Sequence, residues 1–154
     1  MRRIYLSLLI MVMIPWIGIS PANAAIDDGE VRILILTDVD GPYADSAGQG
    51  ILVASEMALD DVGGNVNGNP VKFILRDHDI NGEVAMKWAK KMHEEENIDV
   101  ISELSGSGTA IPVQLWAREL DKGPVVLIVG AGSSSLTSKN CSPVGVHWQF
   151  DTYA

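Results

Sequence analysis

Apolar and polar positions fall in blocks along this chain, and the blocks predict its elements. Residues 31–37 (VRILILT) are aliphatic except for Arg32 and Thr37, which suits a strand covered on both faces in a parallel sheet. Over 46–62, Ala47, Ile51, Ala54, Ala58 and Val62 recur at helical spacing and form one stripe, which Gly63 and Gly64 stop. A turn cluster at 65–70 (NVNGNP) leads into a second strand at 71–75 (VKFIL). A second helix is expected over 83–96, with Ala85, Trp88, Ala89 and Met92 inward and Lys90, Lys91 and Glu94 to Glu96 facing water. A third strand at 99–102 and a third helix at 109–122, with Val113, Trp116, Ala117 and Leu120 inside, follow. A fourth strand at 125–129 (VVLIV) and a fifth at 146–150 complete the pattern.

Strands alternating with helices through short loops imply right-handed βαβ units, so the fold class is α/β with a doubly wound parallel sheet. Ligands of such sheets bind beyond the carboxyl ends of the strands, near the point where strand order reverses. That rule selects three loops: 38–46, 104–109 and 130–137.

The N-terminus alters this picture by setting a compartment. Arg2 and Arg3 precede a largely apolar stretch to Ile19, then Ser20, Pro21 and the small-residue site Ala22-Asn23-Ala24, the order of a secretory signal. Residues 1–24 are expected to be a signal peptide cleaved after Ala24, and 25–154 the exported part. The stretch is interrupted by Ser7, Pro15 and Gly18, which argues against a membrane anchor. With 20 acidic against 11 basic residues, the 154-residue chain carries −9, and two of its basic residues lie in the leader. Nucleic acid is therefore not an expected partner, since polyanions are bound through clusters of Lys and Arg. Cys141 stands alone, so no disulfide forms within the chain.

The loops carry small polar residues rather than catalytic constellations. The first places Tyr43 and Ser46 at a helix start, where backbone N–H groups favour an anion; Asp45 or Ser46 either caps that helix or caps it and also meets a ligand. The second, Ser105-Gly106-Ser107-Gly108-Thr109, lets a ligand approach backbone closely and offers hydroxyls. It lacks the third glycine of a dinucleotide fingerprint. The third, Gly130-Ala131-Gly132-Ser133-Ser134-Ser135, repeats the same chemistry, and so many hydroxyls exceed what a structural turn requires. No G-x-S-x-G, Walker A or H-E-x-x-H motif occurs: His93-Glu94-Glu95-Glu96 is followed by Asn97. Asp77-His78-Asp79 reads as a solvated turn, and His147 as a core or cleft-wall residue. Neither a metal nor another cofactor is expected, and the chain reads as a non-enzyme.

VRILILTDVDGPYAD after a signal peptide, GQGILVASEMALDDVGGNVNGNPVKFILRDHD, GSGTAIPVQLWARELDKGPVVLIVGAGSSSLTSKNCSP and the terminal HWQFDTYA resemble the periplasmic solute-binding proteins of ABC transporters, of the leucine/isoleucine/valine-binding type, over residues 30–154. The resemblance implies a type I periplasmic binding fold in which a ligand lies between two α/β lobes. Because members are more than twice as long, this chain is expected to be an N-terminal portion, an incomplete first lobe. By position, Tyr43, Ser46, Ser107, Ala131, Gly132, Ser133 and Tyr153 would face the ligand, an amino acid of branched-chain type or a related small carboxylate such as an aromatic acid. Ser46 stands where several members have an aromatic residue. The resemblance also implies a membrane permease as partner and a periplasmic location. A ligand-sensing domain of the same fold, coupled to a signalling partner, is the alternative.

Overall fold

In the computed structural model, which describes residues 28–153, β1 (Val31–Thr37) lies in the middle of a six-stranded sheet of order β2-β3-β1-β4-β5-β6. The leader expected at 1–24 and its cleavage point lie outside the described residues. Strand β3 (Asn69–Asp77) and β4 (Val100–Glu103) flank β1 in parallel, and β5 (Val125–Ile128) and β6 (Gly145–His147) continue the parallel run. Only β2 (Asn65–Val66) is antiparallel, forming a short hairpin with β3 through the expected turn cluster. The sheet is parallel-rich α/β, as the alternation of blocks predicts.

The chain crosses the sheet on both faces. On one face, α3 (Gly82–Glu96) and α4 (Ser107–Arg118) set Ala85, Ala89, Met92, Ala110, Val113 and Ala117 against Leu34, Leu36, Ile74, Ile101, Val126 and Ile128. Alanines at the contacts let the helix backbones sit close to the strands, and each fully buried Leu or Ile contributes roughly 1.5–3 kcal/mol. Helix α3 begins where the Asn81 side chain accepts the N–H groups of Glu83 and Val84 at 2.8 and 3.3 Å, and it ends at Asn97 in the left-handed conformation.

On the other face the single stripe expected over 46–62 divides. Helix α1 (Ala44–Ala47) stops at Gly48, whose ψ of −140° leaves the helical region, and α2 (Gln49–Asp61) starts again; the turn is so tight that a Cβ on Gly48 would collide with the Ala44 carbonyl oxygen. Of the stripe only Ala47 is buried; α2 buries none of its residues, and Val53, Met57 and Val62 face water. Ser55, Ala58 and Leu59 instead form one wall of an open apolar groove of about 300 Å³ over Ile33, Val71, Phe73, Val100 and Leu127.

Other boundaries shift for local reasons. The third helix ends at Arg118 rather than 122, since residues 119–122 turn toward Gly123, whose Cα lies against the Ala117 carbonyl. β3 is longer than 71–75 because its pairing with β1 runs the whole way from Val31↔Val71 to Thr37↔Asp77. The last strand covers 145–147 and not 146–150, leaving Trp148 and Phe150 exposed.

Candidate functional site

Chain order reverses between β1 and β4: β1 is followed by elements on one side of the sheet and β4 by α4 on the other. The carboxyl ends of β1, β4 and β5, with the segment after β6, enclose a cleft of about 380 Å³. Tyr43, Ser46, Ala47 and Ile51 form one wall; Glu103, Ser105, Val129, Gly130 and Gln149 form the other. None of these lining residues is a cation.

The wall on the β1 side is rigidified from below. Asp38, almost fully buried, accepts the Tyr43 N–H at 2.6 Å, and its carboxylate occupies the space that a Cβ on Gly41 would fill. Ser46 sits inside α1, where its hydroxyl donates to the Tyr43 carbonyl at 3.2 Å; it does not cap the helix start. Tyr43 and Ser46 thus stand together at the cleft.

The second and third loops are fastened to one another. The Gly106 N–H donates to the Gly130 carbonyl at 3.0 Å, and the Ser133 N–H donates to the Ser107 hydroxyl at 3.1 Å. Ser107 opens α4, two residues before the expected start. The hydroxyl run of the third loop turns out to be largely self-satisfied. Ser133 Oγ caps a 3₁₀ turn (Ser134–Leu136) by accepting the Ser135 N–H, and it lies 2.9 Å from Ser135 Oγ, which also accepts from Asn140. Those hydroxyls therefore have a structural reason that loop composition does not disclose. Ala131 is buried with its carbonyl 2.6 Å from His147 Nε2, and the Gly132 carbonyl accepts the Thr152 N–H at 2.7 Å. Tyr153 is 91% exposed and is not among the residues lining the cleft.

The turn expected at Asp77-His78-Asp79 is not solvated throughout: His78 is fully buried. Its Nδ1 accepts the Ile80 N–H at 3.0 Å and its Nε2 lies 3.3 Å from Ser105 Oγ. Burial pushes its pKa below the usual histidine value, so the ring is neutral. With Nδ1 occupied as an acceptor, the proton resides on Nε2 and points at the serine. This serine–histidine pair is consequently set up to hold structure, not to take the serine's proton, and the pair is closed to solvent. Among the described residues no group of three metal-ligating side chains occurs.

Sequence reading missed Glu103. It is only 3% exposed, closes β4 with a φ of +80°, and lines the cleft; burial raises its pKa above the ordinary glutamate value. The available signal was an acid directly after the apolar start of a buried parallel strand.

A parallel-rich sheet with helices on both faces and a cleft at the strand-order switch point is the architecture of a single α/β lobe. The family model of periplasmic binding proteins matches residues 30–154, and the chain belongs to that family of solute-binding, generally non-enzymatic proteins. It is similar to a periplasmic binding protein from Burkholderia mallei (36% identity, TM-score 0.75), covering 80% of this chain and 32% of that one. It is also similar to a branched chain amino acid ABC transporter periplasmic ligand-binding protein from Burkholderia xenovorans (30% identity, TM-score 0.74, 79% and 32% covered). An ABC transporter solute-binding protein from Rhodopseudomonas palustris in complex with 4-hydroxybenzoate shares the fold (24% identity, TM-score 0.71, 79% and 32% covered). The chain thus spans about a third of the length of these structures. No curated protein matches it.

Proposed function

We propose that this chain serves as the solute-binding part of an ABC importer in the periplasm, exported by a leader cleaved after Ala24. There it would capture a branched-chain amino acid or a related small carboxylate such as an aromatic acid for a membrane permease. The observation that carries the reading is the cleft at the strand-order switch point, where Tyr43 and Ser46 offer hydroxyls and Gly130 close backbone approach without a nucleophile poised for chemistry. The ligands named for the Burkholderia xenovorans and Rhodopseudomonas palustris proteins give the two solute classes to try. On this reading Tyr43 and Ser46 face the ligand from the cleft wall, and Ser107, Ala131, Gly132, Ser133 and Tyr153 belong to the proposed set although none of them lines that cleft, with Ser107 and Ser133 acting as a joined pair.

The test is an NMR titration of the isotope-labelled chain with leucine, isoleucine, valine, benzoate and 4-hydroxybenzoate. In a cleft open to water each net hydrogen bond contributes about 1 kcal/mol, so three or four bonds give a dissociation constant of about a millimolar or weaker. Saturable shifts at Tyr43, Ser46 and Gly130 are expected for at least one acid. Their absence for every acid at millimolar concentrations overturns the reading.

A further inference from the structure

Glu103 is only 3% exposed as a residue and lines the cleft, yet among the described residues no hydrogen bond or ion pair reaches its carboxyl group; its oxygens are not among the fully buried atoms without a partner, so the little of it that remains accessible opens on the cleft. A buried acid in that condition is costly unless something satisfies it. Its place is fixed: the carboxylate lies over Gly130, where a Cβ would collide with Oε1, and the backbone carbonyl of Glu103 holds the N–H groups of Val129 and Gly130 at 3.1 and 3.0 Å. A lining of Tyr43, Ser46, Ala47, Ile51, Ser105, Val129, Gly130 and Gln149 includes no Lys or Arg to neutralise it. A solute that is only an anion would bring a second negative charge against an unpaired acid.

We propose that Glu103 is a specificity-determining residue of the cleft, and that the solute it admits carries, besides its carboxylate, a hydrogen-bond donor (an ammonium or a hydroxyl group) placed against the Glu103 carboxyl. This rests on the solute-binding reading and narrows its ligand class. A site built to bond a donor discriminates strongly against the analogue that lacks it, because the site's polar group is then left buried and unpaired.

Two matched pairs separate the sources of the donor: leucine against 4-methylpentanoate, which lacks only the amino group, and 4-hydroxybenzoate against benzoate, which lacks only the hydroxyl. NMR titration of the chain with each acid is expected to show at least a tenfold preference for the donor-bearing member of one pair or both, with the largest shifts at Glu103, Gly130 and Tyr43. In Glu103→Leu that preference is expected to fall below threefold. Glu103→Gln, which keeps shape and an acceptor, is the second variant: a preference for leucine should weaken at least fivefold, whereas a preference for 4-hydroxybenzoate should persist. A structural role alone would alter all affinities together and leave the ratios within pairs unchanged. Equal binding within both wild-type pairs, or a preference that survives in Glu103→Leu, overturns the proposal while leaving carboxylate binding intact. If none of the four acids shifts the cleft residues, the proposal falls together with the reading beneath it.

Discussion

The Nε2 of His78 and the Oγ of Ser105 lie 3.3 Å apart, joining the ends of β3 and β4 beneath the cleft. With the His78 proton held on Nε2, Ser105 Oγ accepts from the ring and from the Asp38 N–H at 3.2 Å, and its own proton goes to Thr37 Oγ1 at 3.2 Å. Thr37 passes the chain on to the Ala47 carbonyl. One directed series of hydrogen bonds thereby ties β3, β4, β1 and the first helix together, and it requires a neutral imidazole.

Stability should accordingly fall in mild acid. Burial sets the folded pKa of His78 below the unfolded value of 6.5, so the folded state resists a proton that the unfolded chain accepts. The contribution is present above about pH 6.5 and is lost as pH drops from there toward the folded pKa, with a slope of at most about 1.4 kcal/mol per pH unit. Urea unfolding between pH 7.5 and 5 checks this. In His78→Asn the acid slope should flatten; an unchanged slope would show that another group dominates.

Glu103 works in the opposite sense. Its folded pKa is raised above 4.5 by burial, so its penalty is absent at low pH and grows as pH rises from 4.5 through the folded value. Glu103→Gln should therefore raise stability at pH 7 and have little effect near pH 4. Equal effects at the two pH values would mean that the substitution acts through packing instead of charge.

One close backbone approach predicts a costly alanine. Pro112 lacks the N–H that the Gly108 carbonyl would otherwise receive in α4, and Gly82 at the start of α3 packs against that carbonyl. A Cβ on Gly82 would stand 2.6 Å from the Gly108 oxygen. Since this is backbone on a packed helix, Gly82→Ala should destabilise by about 2 kcal/mol by forcing α3 and α4 apart, despite alanine's better helix propensity. A neutral or stabilising result by denaturant titration would refute the tight approach.

Gln114 is the polar residue on which the β5–β6 connection depends. Buried in α4, its amide nitrogen donates to the Leu136 and Asn140 carbonyls at 3.1 and 2.5 Å, and its Oε1 fills the space beside Gly145. Gln114→Leu should cost roughly 2–3 kcal/mol, as it leaves two carbonyls without a donor, and should broaden the NMR signals of residues 134–147 selectively. Uniform effects across the chain would count against this local role.

The buried face of the sheet was legible because its signal is periodic. Ala85, Ala89, Met92, Val113 and Ala117 repeat at helical spacing, and β1 is a continuous aliphatic run. The three loops at the cleft were legible from topology alone, since a parallel sheet fixes where its strands end. What hydroxyls and acids do there was not, because it depends on partners distant in sequence: Ser105 meets His78 across 27 positions, and Ser107 meets Ser133 across 26. The break at Gly48 escaped for a similar reason, as an apolar stripe continues through a residue whose backbone has no room for a side chain.

That break leads to the last prediction, which concerns α2. A helix normally gains its stability from the face it buries rather than from propensity, and a free helix of this length is marginal in water. α2 buries no residue fully, exposes Val53 and Met57, and meets the apolar groove over the sheet through Ser55, Ala58 and Leu59. α3 and α4 bury three and five residues respectively. The amides of 52–61 should therefore exchange with solvent through local opening well below the global unfolding free energy, while those of α3 and α4 exchange only near it. Met57→Lys, at a position 65% exposed, should change stability by less than about 0.5 kcal/mol. Leu59→Asp, on the groove side, should accelerate exchange in α2 without altering protection in α3. If α2 is instead as protected as α3, its contacts with the groove are stronger than its burial implies.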